Sequence, residues 1–542
     1  MVYRNPINYV NQFFSFFSRK FREIYLNSNI YNKKISKIYK KDFRYKPSQN
    51  LLDCLIKYEG KKLKIENYAL ESIWNTKNIN EKDFQKLNSF FWLFSLDLKS
   101  SKNQTQSVIL NWIQNNSKYN SKSWKIDITS KRIIAWLSNS KLTYEESDFN
   151  YKANFDQMVQ KQTNHLVNEI SKSKWVDDKM IGCSAIILVG LSYEDKDNYL
   201  NFGINLLKKI IKYSFDTNGF PKSRNIRQLN FYLKYFVLIR EWFRESQNEI
   251  PEYIDETIYY LGQAYAFFWQ DTKNNSLFNG NLETDNLDFD VYLKRLGYKF
   301  KNENIELGGY TILKNKKVSL IMDIGPSPEK RFSYDYQSGA LSFEIISNGI
   351  KLLSNCGYFQ NQKHKFNELS KTTAAHNSLI IDNRSSCKFE KVGKSKSTTS
   401  GNLKILKKNI TFEKNFWKIS AAHDGYLKTY KAVHERNIEF YPEQMKFIGY
   451  DKIISKDDKS LNFDIRFHLQ PKIKLMKTLD NKSILIELND EGWKFVCNDF
   501  DINIENGLYF GKKNFYQENQ NFFISGMTQS KNQTIKWELN KI

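Results

Sequence analysis

Cysteine is scarce in this chain of 542 residues, whose five cysteines are Cys54, Cys183, Cys356, Cys387 and Cys497. They are odd in number and widely separated. None belongs to a Cys-x-x-Cys pair or to a Cys/His spacing that fits a metal. The sequence therefore predicts neither a disulfide framework nor a structural zinc knot, and we expect no cofactor.

The N-terminal segment also lacks a long apolar run. Residues 1–20 contain Phe13, Phe14, Phe16 and Phe17, but also Arg4 and several asparagines. The segment lacks the apolar core and cleavage site of a signal peptide, and it is too short and too polar to span a bilayer. We expect no cleavable signal peptide and no transmembrane segment. An amphipathic helix here would dock against the main body or, alternatively, touch a membrane surface.

Positive charge is abundant: the formal net charge is +24 and the pI is about 9.4. Such a charge attracts polyanions, namely nucleic acid, anionic lipid or acidic glycan. Lys, Asn, Ile and Tyr are frequent throughout while Ala and Gly are sparse, so a composition bias explains part of the excess. The lysines are scattered and do not form the basic, aromatic module of a nucleic-acid fold. We expect no nucleic-acid partner.

The first large region is helical by its apolar spacing. The chain exceeds the size of one core, which predicts two large domains, and its 40% hydrophobic and 15% aromatic content excludes disorder as the dominant state. Apolar residues recur at helical spacing from about residue 82 to 299. Residues 180–190 are apolar nearly all round, which is typical of a helix buried on several sides. Paired helices with one buried member predict an inner and an outer ring.

The second region is β. From Gly308 and Gly309 onward the apolar period changes to two, and residues 318–324 and 340–346 read as strands bounded by Gly and Pro. Apolar and polar residues alternate without exception in residues 463–470, as in a sheet with one buried face. An antiparallel β-sandwich is predicted.

Three segments of the β region resemble the signature of the heparinase II/III-like family: residues 336–344, with Leu-Ser-Phe-Glu, residues 354–357, with Asn-Cys-Gly, and residues 372–382, with Thr-Ala-Ala-His-Asn. Asn218-Gly-Phe-Pro-Lys-Ser-Arg-Asn225 and Leu277-Phe-Asn-Gly280 also fit the family. The resemblance implies an N-terminal adjunct in residues 1–80, an incomplete (α/α) toroid like that of alginate lyases in 81–300, and an antiparallel β-sandwich in 301–542.

The same resemblance implies polysaccharide lyase chemistry. These enzymes cleave beside a uronic acid by β-elimination, which needs neutralisation of the carboxylate, a base and an acid. The family's first catalytic element aligns with Asp177 and Asp178, which are acids where the family has neutral donors. In its third element Gln337 replaces a His and Gly339 replaces an Asp. Of the zinc ligands found in some members only His423 remains, so we expect no metal.

The catalytic candidates are Tyr334, Tyr336 and His376. The two tyrosines lie beside the lost histidine and could serve as base and acid if a neighbouring arginine, such as Arg331, lowers a tyrosine pKa. Packing or sugar stacking is the alternative for the tyrosines. For His376 the alternative is a structural hydrogen bond that holds its turn.

The predicted substrate-binding residues are Arg224, Asn225, Gln337 and Arg384. Arg224 and Asn225 align with the family's second catalytic element, which has lost its Tyr and His but can still hold an anion. Arg384 is expected to line the cleft between the domains, with ordinary loop solvation as the alternative. His434 and His468 are expected at the surface or in an interface.

The leading functional prediction is a lyase homologue that acts on a uronate-containing acidic glycan. A catalytically degenerate glycan-binding or envelope-assembly protein is the alternative, and a nucleic-acid-associated protein rests on charge alone. The resemblance implies a place in the cell envelope or periplasm, whereas the missing signal peptide favours the cytoplasm. The sequence leaves the glycan and the oligomeric state open.

Overall fold

The computed structural model of the chain describes residues 17–18, 20–38, 42–52, 80–95, 102–270, 276–283, 286–392 and 396–542. The chain forms two compact units, Met1–Tyr213 with Lys234–Ile258, and Ser214–Leu233 with Tyr259–Ile542. Most of the predicted N-terminal adjunct, including Phe13, Phe14 and Phe16, lies outside the described residues. The predicted domain boundaries stay a prediction, although the last helix of the helical region ends at Arg295 and the first strand begins at Glu306.

The described α-helices with defined bounds, in chain order, are α1 Asn29–Ile35, α2 Glu81–Ser89, α3 Lys102–Asn115, α4 Ile126–Ser138, α5 Ser140–Thr143, α6 Phe149–Glu169, α7 Val176–Ser192, α8 Asn201–Ser214, α9 Ile226–Glu245, α10 Glu252–Tyr265, α11 Leu287–Arg295, α12 Lys365–Ser370 and α13 Leu427–Tyr430. Among the described helices, none has the length and apolar composition needed to cross a membrane.

Helix α7 is the buried helix of the first unit. Every residue from position 180 to 192 is buried, which confirms the prediction from the apolar run. Close approach requires glycine at one point, because a Cβ on Gly190 would lie 2.6 Å from the backbone nitrogen of Leu200. Asp177 and Asp178 occupy the first turn of α7, where the helix dipole favours negative charge.

The described strands all belong to the second unit. They are β1 Glu306–Leu307, β2 Tyr310–Lys314, β3 Val318–Asp323, β4 Phe343–Ser347, β5 Ile350–Leu353, β6 Leu379–Ile381, β7 Phe389–Val392, β8 Lys396–Thr399, β9 Ile405–Phe412, β10 Trp417–His423, β11 Ala432–Tyr441, β12 Lys446–Ser455, β13 Asn462–His468, β14 Lys474–Lys477, β15 Ser483–Leu488, β16 Glu491–Val496, β17 Ile502–Tyr509, β18 Gln517–Met527 and β19 Asn532–Lys541.

The described strands pair antiparallel in sheets of different width. A five-stranded sheet has the order β1-β2-β3-β4-β5, and an eight-stranded sheet the order β14-β15-β16-β19-β12-β11-β10-β9. A four-stranded sheet follows the order β17-β18-β13-β6, and β7 pairs with β8. The predicted antiparallel β region is confirmed.

The three larger sheets share one apolar core. Phe343 on β4 stacks on Trp537 of β19 with ring centroids 5.6 Å apart, and Phe467 on β13 meets the same indole at 5.4 Å. All three rings are fully buried. Burial of such a ring contributes about 1.5–3 kcal/mol, so this contact is a main support of the sandwich.

Two sequence expectations about histidines are wrong. His468 follows the polar face of β13, yet it is 2% exposed, and its Nδ1 lies 3.2 Å from the Sγ of Cys356. His434 is fully buried in β11. The reason is that β11 lies inside the eight-stranded sheet, so both of its faces are largely covered.

Candidate functional site around Asp335

Polar groups from three segments of the second unit surround the partly exposed carboxylate of Asp335. The Nδ2 of Asn225 and the Nη2 of Arg227 each lie 3.3 Å from Oδ2 of Asp335, and the hydroxyl of Tyr358 donates to Oδ1 at 3.0 Å. We call these four residues the Asp335 cluster. The side chains of Arg227 and Asp335 are 31% and 23% exposed and reach solvent, whereas Asn225 and Tyr358 are each 2% exposed.

The start of α9 positions the amide and the guanidinium. The side chain of Asn225 accepts a hydrogen bond from the backbone N–H of Gln228 at 3.3 Å, as a helix-capping asparagine does. Arg227 lies in the first turn, where the helix dipole adds positive potential. The sequence therefore places one cation and one neutral donor side by side next to Asp335.

Arg224, a predicted substrate-binding residue, is buried and uses its donors within the protein. Its Nε donates to the carbonyl of Gly308 at 2.9 Å, Nη2 donates to Gly309 at 3.0 Å, and Nη1 donates to Pro326 at 2.9 Å. Its Nη2 also lies 2.7 Å from Oδ1 of Asp323, and Nη1 lies 3.5 Å from Oδ2. A guanidinium has five N–H groups, and these contacts occupy them all.

The surroundings of Arg224 fix it further. Its guanidinium lies 4.6 Å above the ring centre of Tyr310, and a Cβ on Gly325 would come within 2.5 Å of it. The backbone at Arg224 is left-handed, with φ of 56°. This strain is held by the contacts around the side chain. In the described structure every donor of Arg224 binds a group of the protein, so none remains for a substrate.

Gln337, which the sequence resemblance matches to a family histidine, is fully buried and hydrogen-bonds to three loops. Its Oε1 accepts from the N–H of Gly280 at 3.0 Å, and its Nε2 donates to the carbonyls of Gly357 at 2.9 Å and Ser370 at 2.6 Å. Its backbone N–H donates to Oδ1 of Asn279 at 3.3 Å. In the described structure Gln337 therefore holds these loops together.

The two candidate tyrosines differ in access. Tyr336 is 1% exposed and packs with Cys387 and Leu403. Burial raises the pKa of Tyr336 well above its usual value, and the opposing effect of Arg224 is smaller. The expected lowering of a tyrosine pKa by an arginine is wrong for Tyr336. Tyr334 is half-buried, so it is the more exposed residue of the pair.

His376 and Arg384 lie in other settings. His376 is 1% exposed, and its Nδ1 donates to the carbonyl of Thr372 at 2.8 Å. Burial lowers the pKa of His376 to about 4, so the ring is neutral at pH 7. This contact matches the alternative in which His376 holds its turn. Arg384 is exposed in a loop whose carbonyl accepts from Tyr426 at 3.3 Å, and no described contact joins it to the Asp335 cluster.

His423 belongs to a buried chain of hydrogen bonds. The N–H of Gly425 donates to its Nδ1, so its Nε2 carries the proton toward Nδ1 of His434 at 3.3 Å. The Nε2 of His434 then donates to Asp451 at 2.7 Å, which also receives Arg436 at 2.8 Å. Both rings are neutral in this arrangement, and burial lowers the pKa of each. Within the described residues, no group of three or more His, Cys, Asp or Glu side chains is placed to hold a metal ion.

Sequence reasoning missed Arg227 and Tyr358 as site residues. Arg227 follows Asn225 by two positions, and Tyr358 directly follows the Asn-Cys-Gly turn. Both residues therefore lie within two positions of segments that resemble the family, and this closeness is the only signal in the sequence for them. Their proximity to Asp335 depends on how two distant loops fold together, which spacing alone does not give.

Residues 301–538 match the family model described as heparinase II/III-like, C-terminal. Among solved structures, the heparan sulfate lyase HepC from Pedobacter heparinus is similar over 94% of this chain and 85% of its own, at 13% identity and a TM-score of 0.64. A heparinase III structure is similar over 95% and 89%, at 13% identity and a TM-score of 0.68. No curated protein matches the chain by sequence.

At this identity the structural likeness shows the fold, and it confirms the predicted architecture. Residues 301–538 therefore match the C-terminal domain of the heparinase II/III-like family, and the fold of the chain is a helical toroid followed by a β-sandwich.

Proposed function

We propose that the protein binds a uronate-containing acidic polysaccharide at the Asp335 cluster and that it does not cleave the polymer. The proposed binding rests on one observation, namely that the partly exposed Arg227 lies beside the capping amide of Asn225. A guanidinium is the group that proteins use to bind a carboxylate or a sulfate. The fold likeness to a heparan sulfate lyase supports the same class of ligand.

The strengths of two ion pairs decide which arginine meets the ligand. Arg227 holds Asp335 at 3.3 Å with both side chains partly in solvent, and such pairs contribute only about 0–1 kcal/mol. A ligand carboxylate can therefore compete with Asp335 for Arg227. Breaking the buried pair of Arg224 with Asp323, at 2.7 Å, costs about 3–5 kcal/mol, so Arg224 stays where it is.

The absence of cleavage follows from what surrounds the cluster. Five of the six histidines, His165, His376, His423, His434 and His468, are at most 3% exposed. His364 is exposed, and its Nδ1 accepts from the N–H of Phe366. Tyr336 is buried and Gln337 is locked. The cluster therefore lacks, among the described residues, the accessible imidazole that the family places at the third element.

Elimination by the cluster is the second candidate, and one observation favours it. Tyr334 is half-buried, and it directly precedes Asp335, whose carboxylate binds Arg227. A tyrosine can serve as both base and acid where a cation neutralises the uronate. In that case the protein would be an active lyase with Tyr334 as its proton-transfer group.

One experiment separates the two. The wild-type protein is incubated with heparan sulfate, alginate and the neutral polymer dextran, with binding measured by calorimetry and unsaturated uronate by near-UV absorbance. We expect affinity for an acidic polymer, none for dextran, and a flat absorbance. A rising absorbance would establish the lyase instead, and no binding to any uronate polymer would refute the proposal.

The same proposal places the protein in the cell envelope, where acidic polysaccharides are assembled and displayed. Fractionation of cells followed by immunodetection tests this location. Recovery only in the cytoplasmic fraction would contradict it.

A further inference from the structure

A helical segment near the N-terminus packs on α6 with one of its sides. We define this N-terminal segment as residues 20–38, which contain a short helix and then α1. The hydroxyl of Tyr31 lies 2.7 Å from Nδ1 of His165, and the Nε of Arg22 donates to Oε2 of Glu169 at 2.8 Å. Both partners on α6 are buried. These contacts fix which side of the segment faces solvent.

The solvent side of the segment is apolar. Residues 20–26 are helical, and within them Phe21 and Ile24 are 69% and 68% exposed. Residues three positions apart in a helix are neighbours on one face. Ile30, in α1, is 73% exposed, whereas Leu26 is buried. Large apolar side chains that are grouped at a surface mark a contact with a protein or a membrane.

The same segment is basic. Residues 20–38 contain five Lys or Arg and a single acidic residue, Glu23, which gives a net charge of +4. Lys33, Lys34 and Lys37 are exposed. The apolar side chains and the lysines are therefore presented together, within one short stretch of chain.

This combination distinguishes between the possible occupants of the surface. A second copy of the chain would bring two basic segments together, and like charges that face each other oppose such a contact. Nucleic acid would attract the lysines through its phosphates, which offer nothing to the apolar side chains. A bilayer with anionic lipids fits both, because Lys and Arg bind its headgroups while apolar side chains enter the boundary with the acyl chains.

We propose that the N-terminal segment binds the surface of an anionic lipid bilayer. Phe21 and Ile24 enter the boundary between headgroups and acyl chains, and the lysines of α1 contact the lipid phosphates. Such a helix lies in the plane of the membrane surface and does not cross the bilayer. The proposal rests on residues of the first unit alone, so it stands or falls separately from glycan binding at the Asp335 cluster.

The test is cosedimentation of the full chain with vesicles of two compositions, pure phosphatidylcholine and equal parts of phosphatidylcholine and phosphatidylglycerol. We expect the wild type to bind the mixed vesicles and to bind the neutral ones far more weakly. The double variant Phe21→Ser with Ile24→Ser should bind the mixed vesicles about tenfold more weakly, because it loses the transfer of two apolar side chains out of water. Lys33→Gln with Lys34→Gln should lose about fivefold in affinity for each lysine removed.

Two matched controls separate this surface from general stickiness and from the charge of the whole chain. Phe149→Ser removes an aromatic ring that is 83% exposed, at the start of α6 and about 24 Å along that helix from His165. Lys456→Gln with Lys459→Gln removes two exposed lysines of the second unit. Both controls should bind the mixed vesicles like the wild type, and thermal unfolding checks that every variant is folded.

Several results would overturn the proposal. One is a wild type that does not bind the mixed vesicles, or that binds neutral and mixed vesicles equally. Another is a folded control variant that loses as much affinity as the matching variant of the N-terminal segment. A third is a dimer in analytical ultracentrifugation that Phe21→Ser with Ile24→Ser dissociates while vesicle binding is unchanged, since a second copy would then cover the surface.

Discussion

Replacement of Arg224 by methionine should destabilise the second unit without acting on the ligand directly. The change leaves the carboxylate of Asp323, 1% exposed, without its cation, and it removes the donors of three backbone carbonyls. Loss of one partner of a buried ion pair costs about 3–5 kcal/mol. For a large domain this corresponds to a fall in Tm of roughly 6–20 °C. Urea unfolding followed by circular dichroism measures the free energy, and calorimetry measures glycan affinity in the folded range.

The double variant Arg224→Met with Asp323→Asn is the control for this reasoning. It removes both charges, so its loss of stability should be smaller than the sum of the two single losses. The structural reading of Arg224 would be refuted if Arg224→Met unfolded within about 1 kcal/mol of the wild type and yet lost its affinity for acidic glycan. That result would return Arg224 to the role expected from the sequence.

Three further predictions follow from buried groups. Burial lowers the pKa of His376 to about 4 and of His468 to about 3, while the unfolded value is about 6.5. The unfolded state therefore binds more protons than the folded state below pH 6.5. As the pH falls from 6.5 to its folded pKa, each histidine should reduce the free energy of unfolding by about 1.4 kcal/mol per pH unit, with no such loss above pH 7. Urea unfolding at pH 7 and pH 5 tests this, and an equal free energy of unfolding at the two pH values would contradict it. Tyr336→Phe should change stability by less than about 1 kcal/mol and leave glycan affinity unchanged, because the buried hydroxyl has no oxygen or nitrogen partner among the described residues; a loss of affinity would show that the hydroxyl meets the ligand. Gln337→Ala removes three hydrogen bonds and should cost about 2–4 kcal/mol in thermal or urea unfolding, whereas a neutral effect would show that the loops it joins hold without it.

The architecture was accessible to sequence reasoning because apolar spacing reports burial directly. The apolar run of α7 and the alternation of β13 both predicted which side chains enter a core, and Phe463, Ile465 and Phe467 are buried as the alternation requires. The family signature located the loops that form the candidate site. These features are local in sequence, so the spacing of neighbouring residues is enough to predict them.

The roles of individual polar residues were less accessible because they depend on distant partners. Arg224 binds Asp323, which is 99 residues away, and the carbonyls of Gly308 and Gly309. The residues next to Arg224 in the sequence do not indicate these contacts. Tyr336 has two charged neighbours in sequence, Lys330 and Arg331, but it faces Cys387 and Leu403 instead. Titration behaviour follows burial, which spacing did not predict at these positions.

The central claim is that Arg227 presents a cation to an acidic polysaccharide, and a comparison of two arginines of α9 tests it most directly. Arg240 has a similar side-chain exposure, 27% against 31%, and is paired with Asp255 outside the Asp335 cluster. Calorimetric titration of heparan sulfate into Arg227→Ala should give an affinity about tenfold below that of the wild type, as expected for loss of one charge-assisted contact, while Arg240→Ala binds like the wild type. Equal affinities for the wild type and both variants, or an equal fall in the two variants, would contradict the account.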